Sequence, residues 1–277
     1  MKRLITLCLL LCAVTSGFAQ TDSTRSTPDT IKIGGMIIIR DKDSKPEKEE
    51  DRGILRIRKR ENNEEPSAIS TNWWIIDIGF SNYNDRTDYA SASTQAFAPG
   101  SNEDWFKLRA GKSRNINLWF FMQRISIAKR VLNLKYGVGL ELNNYHFDES
   151  RIKFSKKPTL VALDESLKGA RKNKLAADYL TVPVMLNINF TPGRQRGFGF
   201  SGGVSAGFLY SARQKTKNDG DVDKTKSDFN LDRWKLAYVG ELLLGPVKLY
   251  GSYAFKNMWE KGLDQVPYTV GFRISSW

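Results

Sequence analysis

The chain has one histidine and few other groups suited to nucleophilic chemistry. His146 stands in His146-Phe147-Asp148-Glu149-Ser150, so an imidazole, carboxylates and a hydroxyl lie close in sequence. Those are the groups a hydrolytic relay uses, but their spacing matches no catalytic pattern. The reading is an exposed histidine and no catalytic residue. Both cysteines, Cys8 and Cys12, fall within the first 19 residues, so the remainder has no thiolate for zinc, redox chemistry or disulfides. With a single histidine, a metal site would need clustered carboxylates, and the sequence shows none; neither metal nor cofactor is expected. Ala110-Gly111-Lys112-Ser113 ends like a phosphate loop, but the first required glycine would fall at Phe106. Asp219, Asp221 and Asp223 have the spacing of a calcium loop, but Lys224 replaces its turn glycine and Asn230 its terminal carboxylate.

Charge is the more informative chemistry. Asp77, Glu141 and Glu241 fall at alternating positions shared with Lys135, Lys235, Lys248 and Arg273. If those positions face an interior, the charges are costly unless paired, so an ion-pair network plugging that interior is expected. The other reading of the same residues is a gate that passes small ions when pairs exchange. A second group lies in 146–177, where Arg151, Lys153, Lys156, Lys157, Lys168, Arg171, Lys172 and Lys174 oppose Asp148, Glu149, Asp164 and Glu165, for a net charge of +4.

The elements that must position these residues are strands. Leu132, Leu134, Tyr136, Val138, Leu140 and Leu142 alternate with Asn133, Lys135, Gly137, Gly139 and Glu141, and the same period of two recurs to the C-terminus. Helices repeat at three and four and cannot produce it. Eight such segments lie near 73–83, 115–127, 131–145, 178–190, 197–212, 233–244, 247–256 and 266–277. Tight turns (128–130, 191–196, 245–246) alternate with long polar connections (84–114, 146–177, 213–232, 257–265). Outer-membrane barrels show that alternation, with short periplasmic turns and long outer loops, and an even strand count puts both termini in the periplasm.

A soluble eight-stranded barrel has the same period with its apolar face inside. Gly199, Ser201, Gly203, Ser205 and Gly207 separate the two. Such residues suit a narrow lumen and would weaken a water-facing strand surface. Aromatics collect at both strand ends: Trp73, Trp74, Phe190, Phe198 and Trp277 beside short turns, and Tyr83, Tyr145, Tyr179, Tyr210, Trp234, Phe255 and Tyr268 toward the loops. Two aromatic belts match two bilayer interfaces. The fold class is therefore all-β, an eight-stranded antiparallel up-and-down transmembrane β-barrel over 71–277. Eight strands leave no open aqueous channel.

Composition agrees. The 277 residues carry a formal charge of +13, are 40% hydrophobic and have a mean hydropathy of −0.44, which excludes a bundle of membrane helices. Lys2 and Arg3, the apolar Leu4–Val14 and the small residues of Gly17-Phe18-Ala19 read as a signal peptide over 1–19. Residues 20–70 read as a periplasmic extension, with β-prone pieces Ile31–Arg40 and Gly53–Arg60 forming a hairpin over 31–60.

Trp73–Tyr83 (WWIIDIGFSNY), Asn115–Leu118 (NINL), Tyr179–Asn189 (YLTVPVMLNIN) and Val270–Trp277 (VGFRISSW) resemble small Bacteroidetes-type outer-membrane β-barrel proteins, the PorT-like group. The resemblance spans 71–277 and implies fold and location, not an activity. One departure concerns the end: the outward series Tyr268, Val270, Phe272, Ile274 is out of step with Trp277. The expected role is structural or accessory in the envelope, acting through loops and extension without catalysis. Alternatives are a lipid-modifying enzyme at the loop rim or a narrow ion-conducting barrel. Expected partners are outer-membrane lipid, lipopolysaccharide at the basic 146–177 loop, the barrel-assembly machinery, and a periplasmic protein through 31–60. Nucleic acid is not expected, because an exported chain rarely meets it.

Overall fold

The computed structural model describes residues 30–33, 36–39, 68–192 and 197–275. Contacts divide the chain into two units, Met1–Glu65 and Pro66–Trp277. In the first, β1 (Thr30–Ile33) pairs antiparallel with β2 (Met36–Ile39), with Ile33 opposite Met36. A tight hairpin thus lies inside the first piece of the expected 31–60 hairpin, whose second piece is outside the described residues. The expected signal peptide, Gly53–Arg60 and Trp277 lie outside the described residues.

The second unit is a closed barrel of eight strands. They are β3 (Ile69–Asp85), β4 (Arg114–Ala128), β5 (Leu132–His146), β8 (Lys172–Asn189), β9 (Phe198–Asn218), β11 (Trp234–Leu244), β12 (Val247–Ala254) and β13 (Gln265–Ile274). Each pairs antiparallel with the next, and β13 returns to β3 with Phe272 opposite Ile78, so the ring has no free edge. The long connections hold a hairpin of β6 (Ile152–Phe154) and β7 (Val161–Leu163), a helix α1 (Ala92–Phe97), and β10 (Asp221–Lys226), which prolongs the sheet beyond β9. At the other end, Leu244 pairs with Val247 around Gly245-Pro246, and Gly245 takes φ +68°, open to glycine at little cost.

The wall is apolar outside and polar inside. Ile78, Phe80, Leu186, Phe200, Val270 and Phe272 are exposed, whereas Asp77, Asn115, Asn143, Lys135, Ser201 and Glu241 are buried. Water would penalise that outer surface, and lipid would not. Toward the long connections the outward apolar series ends at Phe80, Leu142, Leu180, Tyr210, Trp234 and Tyr268, and these residues bound the membrane-spanning belt. Gly203 serves the close strand packing: a Cβ there would lie 2.1 Å from the Val184 carbonyl oxygen.

Two local departures shape the belt. Trp74 takes φ +55° and stands unpaired between Trp73↔Phe121 and Ile75↔Trp119, while β4 shifts register between Trp119 and Phe121. Phe120, the extra residue of β4 against β5, lies opposite Trp74, and both tryptophans face outward, Trp73 beside Phe121 and Trp74 edge-on to Phe120 at 6.0 Å. Tyr145 and Tyr179, expected in the loop-side belt, are instead buried, and Tyr83 packs with them. Their positions are in phase with Glu141 and Asp77, so they point inward. Exposed Tyr210, Trp234 and Phe255 supply the loop-side aromatics.

Candidate functional site

Three features could carry function: the charged lumen, the cap over it, and the rim. Within the lumen Arg273 spans two carboxylates. Its Nε and Nη2 each lie 2.7 Å from Asp77, on Oδ1 and Oδ2, and its Nη1 bonds Glu241 Oε1. Glu241 also accepts from Lys135, and Glu141 from Lys235. Neutral donors complete the shells. Trp119 Nε1 (2.7 Å) and Asn117 Nδ2 (3.1 Å) donate to Asp77, Ser201 Oγ (3.2 Å) to Glu241, and Asn143 Nδ2 (3.0 Å) to Glu141. The structure thus brings together six of the seven lumen residues singled out above. Lys248 departs from the set: its Nζ bonds the carbonyl and hydroxyl of Ser275, both at 2.7 Å. It sits one residue past the start of β12, opposite Leu243, whereas Glu241 pairs further up with Tyr250. A cavity of about 30 Å³ remains beside Glu141, Glu241 and Arg273, room for about one or two waters.

The long connections were expected to be polar, but they build a hydrophobic cap. Phe97 and Phe106, Phe147, Ile152, Phe154 and Val161, Phe229 and Leu231, and Met258, Trp259 and Leu263 come from all four connections and are buried together. Phe154 stacks on Trp259 at 5.9 Å and meets Phe229 at 5.4 Å. Polar ties hold the segments in place. Trp259 Nε1 donates to Gln265 Oε1 (2.9 Å), Gln265 Nε2 to Asp85 Oδ2 (2.9 Å), and Thr94 Oγ1 to the Gly262 carbonyl (2.6 Å). Connections of irregular backbone have no period to reveal a buried face. The only sequence signal was their density of Phe and Trp.

At the rim, His146 ends β5 beyond the belt. Burial, then the cations Lys174, Lys172, Lys112 and Arg109, push its pKa down to about 4. Asp148 is engaged by Arg109 Nε at 3.0 Å, and the Ser150 hydroxyl accepts from the Gly169 amide at 3.2 Å. The histidine, acid and hydroxyl are therefore not joined in a relay, and the histidine is half-buried rather than exposed. Asp219 and Asp221 flank Gly220 in the β9–β10 turn.

The basic 146–177 loop divides. Arg151 bonds Glu149 and Glu165, each at 2.8 Å, and Lys153 bonds Asp164 at 2.5 Å. Hydrogen bonds from Lys153 and Ser166 lower the Asp164 pKa to about 2. Lys156, Lys157, Lys168 and Arg171 are exposed. Lys172 and Lys174 belong instead to β8, which begins six residues earlier than alternation alone suggested (Lys172, not 178). Inward Asn173 and Leu175 carry the strand beyond the belt.

With a closed, lipid-facing barrel described, sequence comparison supplies its family. The model of the outer membrane protein beta-barrel domain matches residues 106–255, more than half of the chain. The chain belongs to that family. It is an integral outer-membrane β-barrel. No curated protein matches it significantly. Among solved structures it is similar to Ail, the attachment invasion locus protein of Yersinia pestis, determined in complex with the heparin analogue sucrose octasulfate. That likeness has 13% identity and a TM-score of 0.30, covering 74% of this chain and 98% of Ail.

Proposed function

We propose that this outer-membrane barrel is a closed, non-conducting, non-catalytic element of the envelope, structural or accessory in role, acting through its capped outer surface and its N-terminal extension. The observation that carries the reading is the double obstruction of one lumen: a hydrogen-bonded ion-pair network within the wall and a hydrophobic cap above it. The finer kinship with the PorT-like group belongs to the same proposal. So does the placement of both termini in the periplasm, which follows from an even strand number and short turns at the terminal side. Outer-membrane lipid meets the apolar belt, and the assembly machinery handles the chain during insertion. The β1–β2 hairpin offers a strand edge to a periplasmic partner.

Conductance across a planar bilayer tests the reading. Purified barrel should insert without producing steady current. Reproducible single-channel steps in the wild-type protein would overturn it in favour of a narrow ion-conducting barrel. Turnover of a phospholipid or lipopolysaccharide substrate that disappears in His146→Ala would overturn the non-catalytic part.

A further inference from the structure

Beyond the belt, the outward residues of β8, β9 and β10 form rows of cations. The register sets Lys174 opposite Lys215 and Lys215 opposite Lys224, with His146 at the start of that row. In the adjoining rows Lys172 faces Lys217, and Arg213 faces Lys226. The opposite face of β8 and β9 is committed to the cap. Gln214 is buried there, donating to the Ile152 carbonyl at 2.8 Å and accepting from the Phe154 amide at 3.0 Å. Asp221 and Asp223 alternate onto that other side, opposite Asn218 and Thr216. Arg213 has Asp178 as a partner. Among the described residues, no ion pair involves Lys172, Lys215, Lys217, Lys224 or Lys226.

Like charges directly opposite one another destabilise a sheet, so in the free protein the Lys172–Lys217 and Lys174–Lys215–Lys224 rows work against their own strands. The neighbouring cations add to the effect of burial on the lysine pKa values. Lys174 is lowered to about 8 by burial and then by Lys172, Arg213 and Lys215; Lys215 is lowered by burial and then by Lys224, Lys172 and Lys217. An anion on this face would reverse the sign of that repulsion. The rows begin three residues beyond Tyr210, the last belt residue of β9. At ~3.4 Å per residue on a strand tilted ~40°, the backbone of these cations stands roughly 8–18 Å above the apolar edge, at and above the outer limit of a headgroup layer ~5–8 Å thick, and long lysine side chains can reach back down toward it.

We propose that the outward face of β8–β9–β10 binds the phosphate groups of outer-leaflet glycolipid, the lipid lying along the belt below with its phosphorylated sugars against the Lys174–Lys215–Lys224 row. The proposal rests on the outer-membrane orientation given above. Continuity with the apolar belt favours a lipid headgroup over a soluble polyanion, because acyl chains and phosphates are then met by one uninterrupted surface. It also moves the contact away from the loop: Arg151 and Lys153 are already neutralised by Glu149, Glu165 and Asp164, and of the loop cations only Lys172 and Lys174 contribute.

The test uses the full-length protein folded in nanodiscs, with bisphosphorylated lipid A as probe. Heat-dependent migration on SDS gels verifies a closed barrel in every sample, so failure of the barrel and failure of the site are distinguishable. Lys174→Thr, Lys215→Thr and Lys224→Thr together should weaken lipid A binding by roughly a hundredfold, at ~1 kcal/mol per cation near a charged membrane surface. The same variant should unfold at an equal or higher temperature than wild type in detergent without lipid A, since repulsion has been removed. Lys156→Thr/Lys157→Thr should bind as wild type. Wild type itself should prefer bisphosphorylated to dephosphorylated lipid A, a comparison that needs no variant. Equal binding of the two lipids, or undiminished binding by the triple variant, would overturn the proposal. So would tight binding of sulfated or phosphorylated polysaccharide in detergent with none to lipid A, which would reassign the face to a soluble polyanion.

Discussion

Arg273 is the residue whose loss should be felt most. Replacing it with methionine keeps much of its volume but leaves Asp77, whose side chain is wholly buried, and Glu241, at 5% exposure, short of a cation. Asp77 retains Trp119 and Asn117 as donors and Glu241 retains Lys135, so neither carboxylate is orphaned. Even so, breaking a buried pair from one side costs about 3–5 kcal/mol, a large share of the ~5–15 kcal/mol typical of a folded domain. The sharper expectation concerns the double variant. With Asp77→Asn added, the uncompensated charge disappears and the amide can still accept from Trp119. Arg273→Met/Asp77→Asn should therefore recover about 2 kcal/mol or more relative to Arg273→Met alone. Urea unfolding in phospholipid vesicles, followed by tryptophan fluorescence, reads both quantities, and Trp119 lies 5.6 Å from the Arg273 guanidinium as a local reporter. An Arg273→Met barrel within 1 kcal/mol of wild type, or a double variant no more stable than the single, would refute the claim that the network is electrostatically closed.

Three further outcomes are expected. Gly203→Val would place Cβ 2.1 Å from the Val184 carbonyl oxygen and 2.6 Å from Met185 Cα, backbone atoms that cannot swing aside; the fast-migrating folded band on unboiled SDS gels should vanish, whereas Gly111→Val, with nothing within 4 Å, should keep it. Because His146 is held at about 4 against an unfolded value near 6.5, the unfolded state binds more protons between those pH values. Stability should therefore fall as pH drops from about 6.5 toward 4, and His146→Gln should flatten that slope in chemical-denaturation curves while leaving pH 7–8 unaffected. Trp259→Ala removes a ring that stacks on Phe154 and meets Phe97 at a tilt and should weaken the cap by about 3–5 kcal/mol; limited proteolysis should then cut in 86–113 and 255–264 much faster while the heat shift of the barrel persists.

What could be read from the residues depended on periodicity. Alternation located all eight barrel strands, and Gly199 to Gly207 settled which face is the lumen, because small residues on alternate positions have a reason inside a narrow barrel and none in water. The same parity determined the lumen charges, and it places Tyr145 and Tyr179 inside with Glu141; proximity to the loops had suggested otherwise. The ends of β8 and β9 were set too short because charged residues occupy their outward positions beyond the lipid, where alternation is between lysine and small or polar groups instead of apolar and polar. The irregular backbone at Trp74 has no signal in the sequence, since nothing in a Trp-Trp pair announces φ +55°. The cap was hidden for another reason. Its residues lie in irregular connections, where burial is decided by which four loops meet and not by position within any one of them.

The two obstructions of the lumen differ in kind, and this bears on where function resides. On the non-conducting reading proposed above, the network would exclude ions electrostatically: a cation would have to compete with Arg273 and Lys135 for carboxylates already bonded from several sides, and an anion would meet Glu241 and Asp77 in a wall with no mobile counter-charge. The cap would exclude them by packing, through the contacts of Phe154 with Phe229 and Trp259. A gate needs one labile barrier whose opening suffices, whereas two barriers of unrelated physics in series would have to open together. Both are also tied into the strand register, the first through cross-strand pairs and the second through Gln214 and Gln265 at the strand ends. The surfaces that remain free to act are those the barrel presents outward: the belt, the basic rows above it, and the outer face of the cap with its cleft of about 820 Å³ between 86–97 and 257–264.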